Sequence, residues 1–96
     1  MGATDFVIRS KGKDAREAFI AARDRALYED GHGGYTGTIA EKRSFVPIPL
    51  PEGEDALSYA YKLIDNADPR IDDKWGPAGC IEEKKGEYLF FGWASS

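Results

Sequence analysis

The chain has 96 residues, of which 42% are hydrophobic and 31% are charged. This length suits a single domain over residues 1–96, because typical domains contain roughly 100–150 residues. The longest uncharged run is too short to span a membrane, and the charged start of the chain does not resemble a signal peptide. One cysteine, Cys80, and one histidine, His32, are too few for an internal disulfide or a zinc site.

The net charge of −4 is distributed unevenly along the chain. Residues 1–51 contain eight Lys or Arg and seven Asp or Glu, a net of +1, whereas residues 52–96 contain five and ten, a net of −5. A binder of duplex nucleic acid needs a basic face that displaces counterions from phosphates. The balance therefore argues against duplex nucleic acid and is compatible either with a basic protein partner or with solubility alone.

The first half of the chain predicts a strand, a helix and a second strand. A β-rich run at 5–10 predicts the first strand. Apolar residues at three-and-four spacing predict a helix over 15–29, with Asp14 at its start and Gly31 at its end. The residues at 36–42 alternate well enough to predict the second strand.

The second half predicts an edge segment, a helix and two strands. Residues 45–50 are extended, but two prolines confine them to a sheet edge; whether 36–50 forms a hairpin or one kinked strand stays open. A helix is predicted over 54–66, and strands over 80–83 and 88–93. The last strand is so apolar that it is either central and covered on both faces or offers an open aromatic face.

This order, β-α-β(β)-α-β-β, predicts an α+β fold. We expect a two-layer sandwich in which two helices cover one four- or five-stranded, mostly antiparallel sheet. A ferredoxin-like arrangement is the nearest common plan with this order of elements.

The glycine-rich segment at 31–38, G-H-G-G-Y-T-G-T, is the most informative local feature. Its backbone N–H groups could surround an anion. It is not a P-loop, however, because it follows a helix, and the C-terminal end of a helix disfavours phosphate. The alternative to an anion-binding loop is a capped helix end followed by a bulged entry into the next strand. For the histidine, the alternatives are a catalytic role and simple stabilisation of that helix end. The candidate binding residues here are His32, Gly33, Gly34, Tyr35, Thr36 and Thr38.

A second loop, at 68–79, contains clustered carboxylates and a tryptophan. Asp72 and Asp73 could hold Mg²⁺ through water, but the spacing matches no calcium-binding loop, and we predict no metal site and no cofactor. Trp75 either packs over the core or anchors a partner. We take Asp72, Asp73 and Trp75 as candidate binding residues, assign no catalytic residue, and interpret Cys80 as a small buried side chain.

Three strings in this chain are distinctive: GHGGYTGTIAEK at 31–42, DDKWGPAG at 72–79 and LFFGWASS at 89–96. Together they resemble small proteins of bacteriophage and some prokaryotic genomes, from about residue 15 to the C-terminus. No activity is established for that group, so the resemblance implies no catalytic residues. It implies a small cytoplasmic protein, encoded by a phage or mobile element, that acts on a host protein.

Three hypotheses of function follow. The first is a non-enzymatic binding protein with a protein partner, anchored by Tyr35 and Trp75 and steered by the acidic second half. The second is a small-molecule or nucleotide-binding protein, an enzyme or a sponge, that uses the loop at 31–38. The third is a homodimer formed through an open sheet edge or an aromatic face. A joint site requires the loops at 31–38 and 68–79 to meet on one face.

Overall fold

In a computed structural model of the chain, which describes residues 2–31 and 33–96, two α-helices pack on one four-stranded sheet. The strand order is β1-β4-β3-β2; β2 runs parallel to β3, and the other two pairs are antiparallel. The predicted α+β class, element order and mostly antiparallel sheet are confirmed. The elements are β1 (Ala3–Lys11), α1 (Ala15–Asp30), β2 (Phe45–Pro47), α2 (Ala56–Asp65), β3 (Ala78–Lys84) and β4 (Glu87–Ser95).

Both helices begin where acidic side chains bind free backbone amides. The Asp14 carboxylate accepts a hydrogen bond from the Glu17 amide at 2.8 Å, and Asp55 caps α2 in the same way. Such caps satisfy N–H groups that have no partner within the helix. Helix α1 ends at Gly31, whose φ of +86° favours glycine and whose N–H donates to the Leu27 carbonyl.

Strand β4 lies in the middle of the sheet, between β1 and β3, and is apolar on both faces. Tyr88 and Phe90 pack with residues of α1, whereas Leu89 and Phe91 pack with residues of α2. Successive side chains of a strand point to opposite faces, so the two helices cover opposite faces of the sheet. Of the two alternatives that the sequence left open for this strand, the structure shows the central strand covered on both faces. The prediction of two layers is wrong, because a strand that is apolar on both sides needs a helix on each side.

The predicted strand at 36–42 is wrong as well. The chain there forms a loop and a short 3₁₀ helix, Ile39–Glu41. Gly37 has a φ of +72°, and the Thr38 hydroxyl accepts a hydrogen bond from the Ala40 amide at 3.2 Å. These local bonds compete with strand pairing, so residues 36–50 form neither a hairpin nor one long strand.

The edge position predicted for the proline-containing segment is confirmed. Within this segment Phe45–Pro47 forms a strand, and among the residues that the structure describes it pairs with β3 alone. One further backbone bond, from the Ile48 amide to the Cys80 carbonyl at 2.8 Å, continues this edge. Within the ranges 2–31 and 33–96, no helix is both long and apolar enough to cross a bilayer.

Candidate functional site

The two loops singled out in the sequence meet at one end of the sheet. The rings of Tyr35 and Trp75 lie 6.3 Å apart between centroids, in a T-shaped arrangement with an interplanar angle of 84°. This geometry is one that aromatic rings favour, because the edge of one ring faces the electron-rich face of the other. Both side chains are nevertheless more than half exposed, Tyr35 at 53% and Trp75 at 66%.

Lys42, which follows the glycine-rich loop in the chain, joins it to the second loop through hydrogen bonds. It follows the 3₁₀ helix, and only 1% of its surface is exposed. Its Nζ donates hydrogen bonds to the backbone carbonyls of Asp73 and Lys74, both at 3.3 Å, and of Gly76 at 2.9 Å. An ammonium group has three N–H donors and no acceptor, so the turn at 73–76 satisfies all three.

Burial lowers the pKa of Lys42 from 10.5 to about 8, while the negative charge of Asp73 acts to raise it. Desolvation disfavours the charged form of a buried amine. With a pKa of about 8, most Lys42 side chains are still protonated at pH 7. The turn is therefore held by a charged donor under ordinary conditions.

The turn at 73–76 also fixes the backbone of Trp75. The Asp73 side chain accepts a hydrogen bond from the Trp75 amide at 2.9 Å, and the Asp73 carbonyl accepts one from the Gly76 amide at 2.9 Å. Lys74 places its Nζ 5.3 Å from the centre of the Trp75 ring, within the range of a cation–π contact. The same Nζ donates to the Gly2 carbonyl at 3.3 Å, next to the start of β1.

The glycine-rich loop encloses an acidic group of this chain. Thr36 donates to Glu41 Oε2 from its hydroxyl at 2.8 Å and from its amide at 3.2 Å. The Thr38 hydroxyl lies 2.8 Å from that of Thr36. Because an ionised carboxylate only accepts, the Thr36 hydroxyl donates to Glu41 and accepts from Thr38. The Thr36 and Thr38 side chains of the loop are therefore bonded to one another and to Glu41.

Glu41 is charged at neutral pH. Burial raises the pKa of its carboxyl group. The hydrogen bonds from Thr36, backbone hydrogen bonding at Tyr35 and the positive charge of Arg23 lower that pKa by a larger amount, so that the net shift is downward. Hydrogen bonds to the ionised form favour that form. A phosphate or other anion that approached Thr36 would meet the negative charge of Glu41, to which the Thr36 amide and hydroxyl already donate.

The remaining predicted residues have varied roles. Gly33 and Gly34 are exposed, with open space where a side chain would be, and Tyr35 itself has a φ of +55°. Asp72 is exposed, in the same loop as Trp75. His32 lies outside the described residues, so its predicted role stays a prediction.

The carboxylates of the second loop do not form a cation site. Asp68 is bonded to the Arg70 guanidinium at 2.9 and 3.0 Å, and Asp73 is used in the turn. Over residues 2–31 and 33–96, no group of three or more His, Cys, Asp or Glu side chains is placed to hold a metal ion. The Cys80 thiol is buried, as predicted from the sequence, and burial raises its pKa to about 11.

Two residues central to the site, Lys42 and Glu41, are not among the binding residues predicted from the sequence. The sequence places both in the predicted strand at 36–42 and offers Lys42 only as a further donor of the glycine-rich loop. One signal was available for the local structure, because Thr38 and Glu41 have the spacing of a capping box, which is typical of a helical start. No local signal pairs Lys42 with carbonyls more than thirty positions away.

No protein-family model, curated protein or solved structure gives a significant match to this chain. The features that bear on function are those of the molecule itself. They are an exposed aromatic pair, a buried ammonium group beneath it and a loop whose threonine side chains are bonded to each other and to Glu41.

We predict that Lys42→Met lowers the free energy of unfolding by about 1–3 kcal/mol, because methionine fills similar space but leaves three carbonyls without their donor. Chemical denaturation at pH 7 measures this. The matched control is Lys62→Met, which removes an exposed lysine paired with Glu54 at 3.2 Å. Exposed pairs contribute at most about 1 kcal/mol, so equal losses in the two variants would contradict the role given to Lys42.

We predict a pH-dependent effect for Glu41→Gln. The folded pKa of Glu41 lies below its ordinary value of 4.5, so its carboxylate stabilises the fold above that pH and loses this effect as pH falls through the folded pKa. At pH 7 the variant should lose about 1–2 kcal/mol of unfolding free energy. The difference from wild type should shrink towards pH 3, whereas the exposed control Glu29→Gln should show little difference at either pH.

Proposed function

We propose that this protein is a non-enzymatic binding protein that attaches to a protein partner through Tyr35 and Trp75. The observation that carries the proposal is the contact between these two rings, both more than half exposed, on loops distant in sequence. Tyrosine and tryptophan are enriched among the residues that dominate binding energy in protein interfaces. Their flat rings offer a large apolar surface with a polar atom at the end.

The aromatic pair is supported by a fixed framework. Lys42 and Asp73 hold the backbone on either side of Trp75, and the Thr36–Glu41 bonds hold the backbone next to Tyr35. Association costs free energy when loops must become ordered. Loops already held by internal hydrogen bonds lower that cost and favour binding through a preformed surface.

The negative charge of this chain favours a partner with a basic surface. The whole chain has a net charge of −4, concentrated in residues 52–96, and exposed Asp72 lies in the same loop as Trp75. Complementary charge speeds encounter more than it strengthens the final complex. If the chain comes from a phage, as its resemblance implies, the partner is a protein of the host.

The glycine-rich loop gives less support to a nucleotide or other small anionic ligand. The threonine hydroxyls and the Thr36 amide are bonded to the Glu41 carboxylate or to each other. A ligand would have to displace that carboxylate, and removal of a partner from a buried polar group is costly. The exposed rings of Tyr35 and Trp75, rather than the Thr36 amide and the threonine hydroxyls, are the accessible part of the site.

We predict that Trp75→Ala and Tyr35→Ala each weaken partner binding about 30-fold or more, the effect of losing a dominant interface residue. Immobilised wild-type protein and each variant are incubated with host lysate, and any stoichiometric partner is identified and titrated. The control is Tyr61→Ala, which removes another exposed aromatic residue, on α2.

Capture of the same partner by wild type and Tyr61→Ala, with loss in both site variants, supports the proposal. Equal capture by all four proteins would show that binding occurs elsewhere. Absence of any stoichiometric partner for the wild type would contradict the proposed function itself.

A further inference from the structure

The two edges of the sheet differ in how they are protected. At the β2 edge the strand has three residues and is followed by Pro47 and Pro49, which lack backbone donors. At the other edge, β1 spans nine residues, Ala3–Lys11, without a proline. Within the described residues β1 pairs only with β4, so its outer side is a row of unpaired amides and carbonyls, which is a template for another strand.

The hydrogen bonds to β4 show which residues of β1 face outward. Gly2 and Ser96 exchange two backbone bonds, both 3.1 Å long, and the Gly12 amide donates to the Gly86 carbonyl at 3.1 Å. Bonded and non-bonded pairs alternate in an antiparallel ladder. The even-numbered residues of β1 therefore bond to β4, and the odd-numbered residues direct their amides and carbonyls to the open edge. The outward-facing residues are Ala3, Asp5, Val7, Arg9 and Lys11.

The order of residues along β1 is self-complementary about its centre. We propose that two copies of this chain associate through β1, antiparallel, with a two-fold axis at Val7. In that register Asp5 lies opposite Arg9 of the other copy, and Phe6 lies opposite Ile8, on each side of the axis. Opposite charges and apolar pairs placed directly across two strands are stabilising, and one patch that pairs with itself is the rule for two-fold dimers.

The hydrogen-bonding groups agree with this register. In this register Val7 lies opposite Val7 of the other copy, and each of the remaining odd-numbered residues also lies opposite an odd-numbered residue. Only amides and carbonyls that point to the open edge therefore meet. A slip of two residues keeps that agreement but places Asp5 or Arg9 opposite Val7. The centred register alone places both Asp5 and Arg9 opposite a residue of opposite charge while using all nine residues, because the slip that brings Asp5 opposite Lys11 leaves Arg9 opposite Val7.

The side chains at this edge keep exposed surface for these contacts. Phe6, Val7 and Ile8 are only partly buried in the single chain. Arg9 binds Glu83 at 2.9 and 3.3 Å, yet its side chain remains 57% exposed, and a guanidinium has five donors. Asp5 is exposed, and it has no ion pair with any of the residues that the structure describes.

Sedimentation equilibrium of the full chain over a range of concentrations tests the proposal. The wild type should change from 10.6 kDa to twice that mass as concentration rises. Asp5→Arg and Arg9→Asp should each weaken dimerisation about tenfold or more, because each places like charges opposite one another twice. An equimolar mixture of the two variants should regain the dimer, because opposite charges then face each other again.

The control for Arg9→Asp is Lys11→Asp, which changes the net charge equally but faces uncharged Ala3 and should leave the dimer intact. Circular dichroism shows whether each variant is folded, and amide exchange of wild-type Val7 gives a reading without any substitution. Its amide should be protected in the dimer and exchange quickly at high dilution. The proposal would be overturned if the wild type stays at 10.6 kDa at all concentrations. It would also be overturned by a dimer in which the Val7 amide exchanges rapidly, because that dimer would not form through β1.

Discussion

Lys42 carries a positive charge into a position that is 1% exposed, where three carbonyls of the turn at 73–76 accept its three N–H bonds. A buried charge without partners costs several kcal/mol. If the turn moved away, the buried ammonium of Lys42 would lose its partners and the fold would lose that free energy. The segment after α1 and the segment before β3 therefore stay joined. The contact between Tyr35 and Trp75 depends on this junction, because each ring belongs to one of the two segments.

Both of these segments are also hydrogen-bonded to the sheet or to the residue next to it. The Gly37 amide donates to the Ser95 carbonyl at 2.8 Å, at the end of β4, and Lys74 reaches the Gly2 carbonyl at the start of β1. The aromatic pair and the open edge of β1 are therefore neighbouring but separate features. If two chains pair about Val7, the antiparallel arrangement places the two aromatic pairs at opposite ends of the joined sheet.

Features with local causes could be predicted from the sequence. The caps at Asp14 and Gly31 determine where α1 begins and ends, and the uninterrupted apolar run of β4 indicates a covered central strand. The layer count depended on which face each helix covers, which the two amphipathic patterns do not specify by themselves. The segment at 36–42 alternates like a strand, but the hydroxyl of Thr38 bonds the local backbone and turns it into a 3₁₀ helix.

The exposed part of the site was predictable and its support was not. Tyr35 and Trp75 stood out as aromatic residues in glycine- and proline-containing loops. The role of Lys42 depends on tertiary contacts, since its Nζ finds its carbonyl partners only once the two segments meet. Glu41 bonds Thr36 only five positions away, but a strand over 36–42 would keep these two side chains apart.

The central claim, that these loops form one preformed surface, is tested most directly by nuclear Overhauser contacts between the Tyr35 ring and the Trp75 indole in the free protein. We expect such contacts in the wild type and their weakening in a folded Lys42→Met variant. Their absence from the wild type, or equal strength in both proteins, would contradict the account.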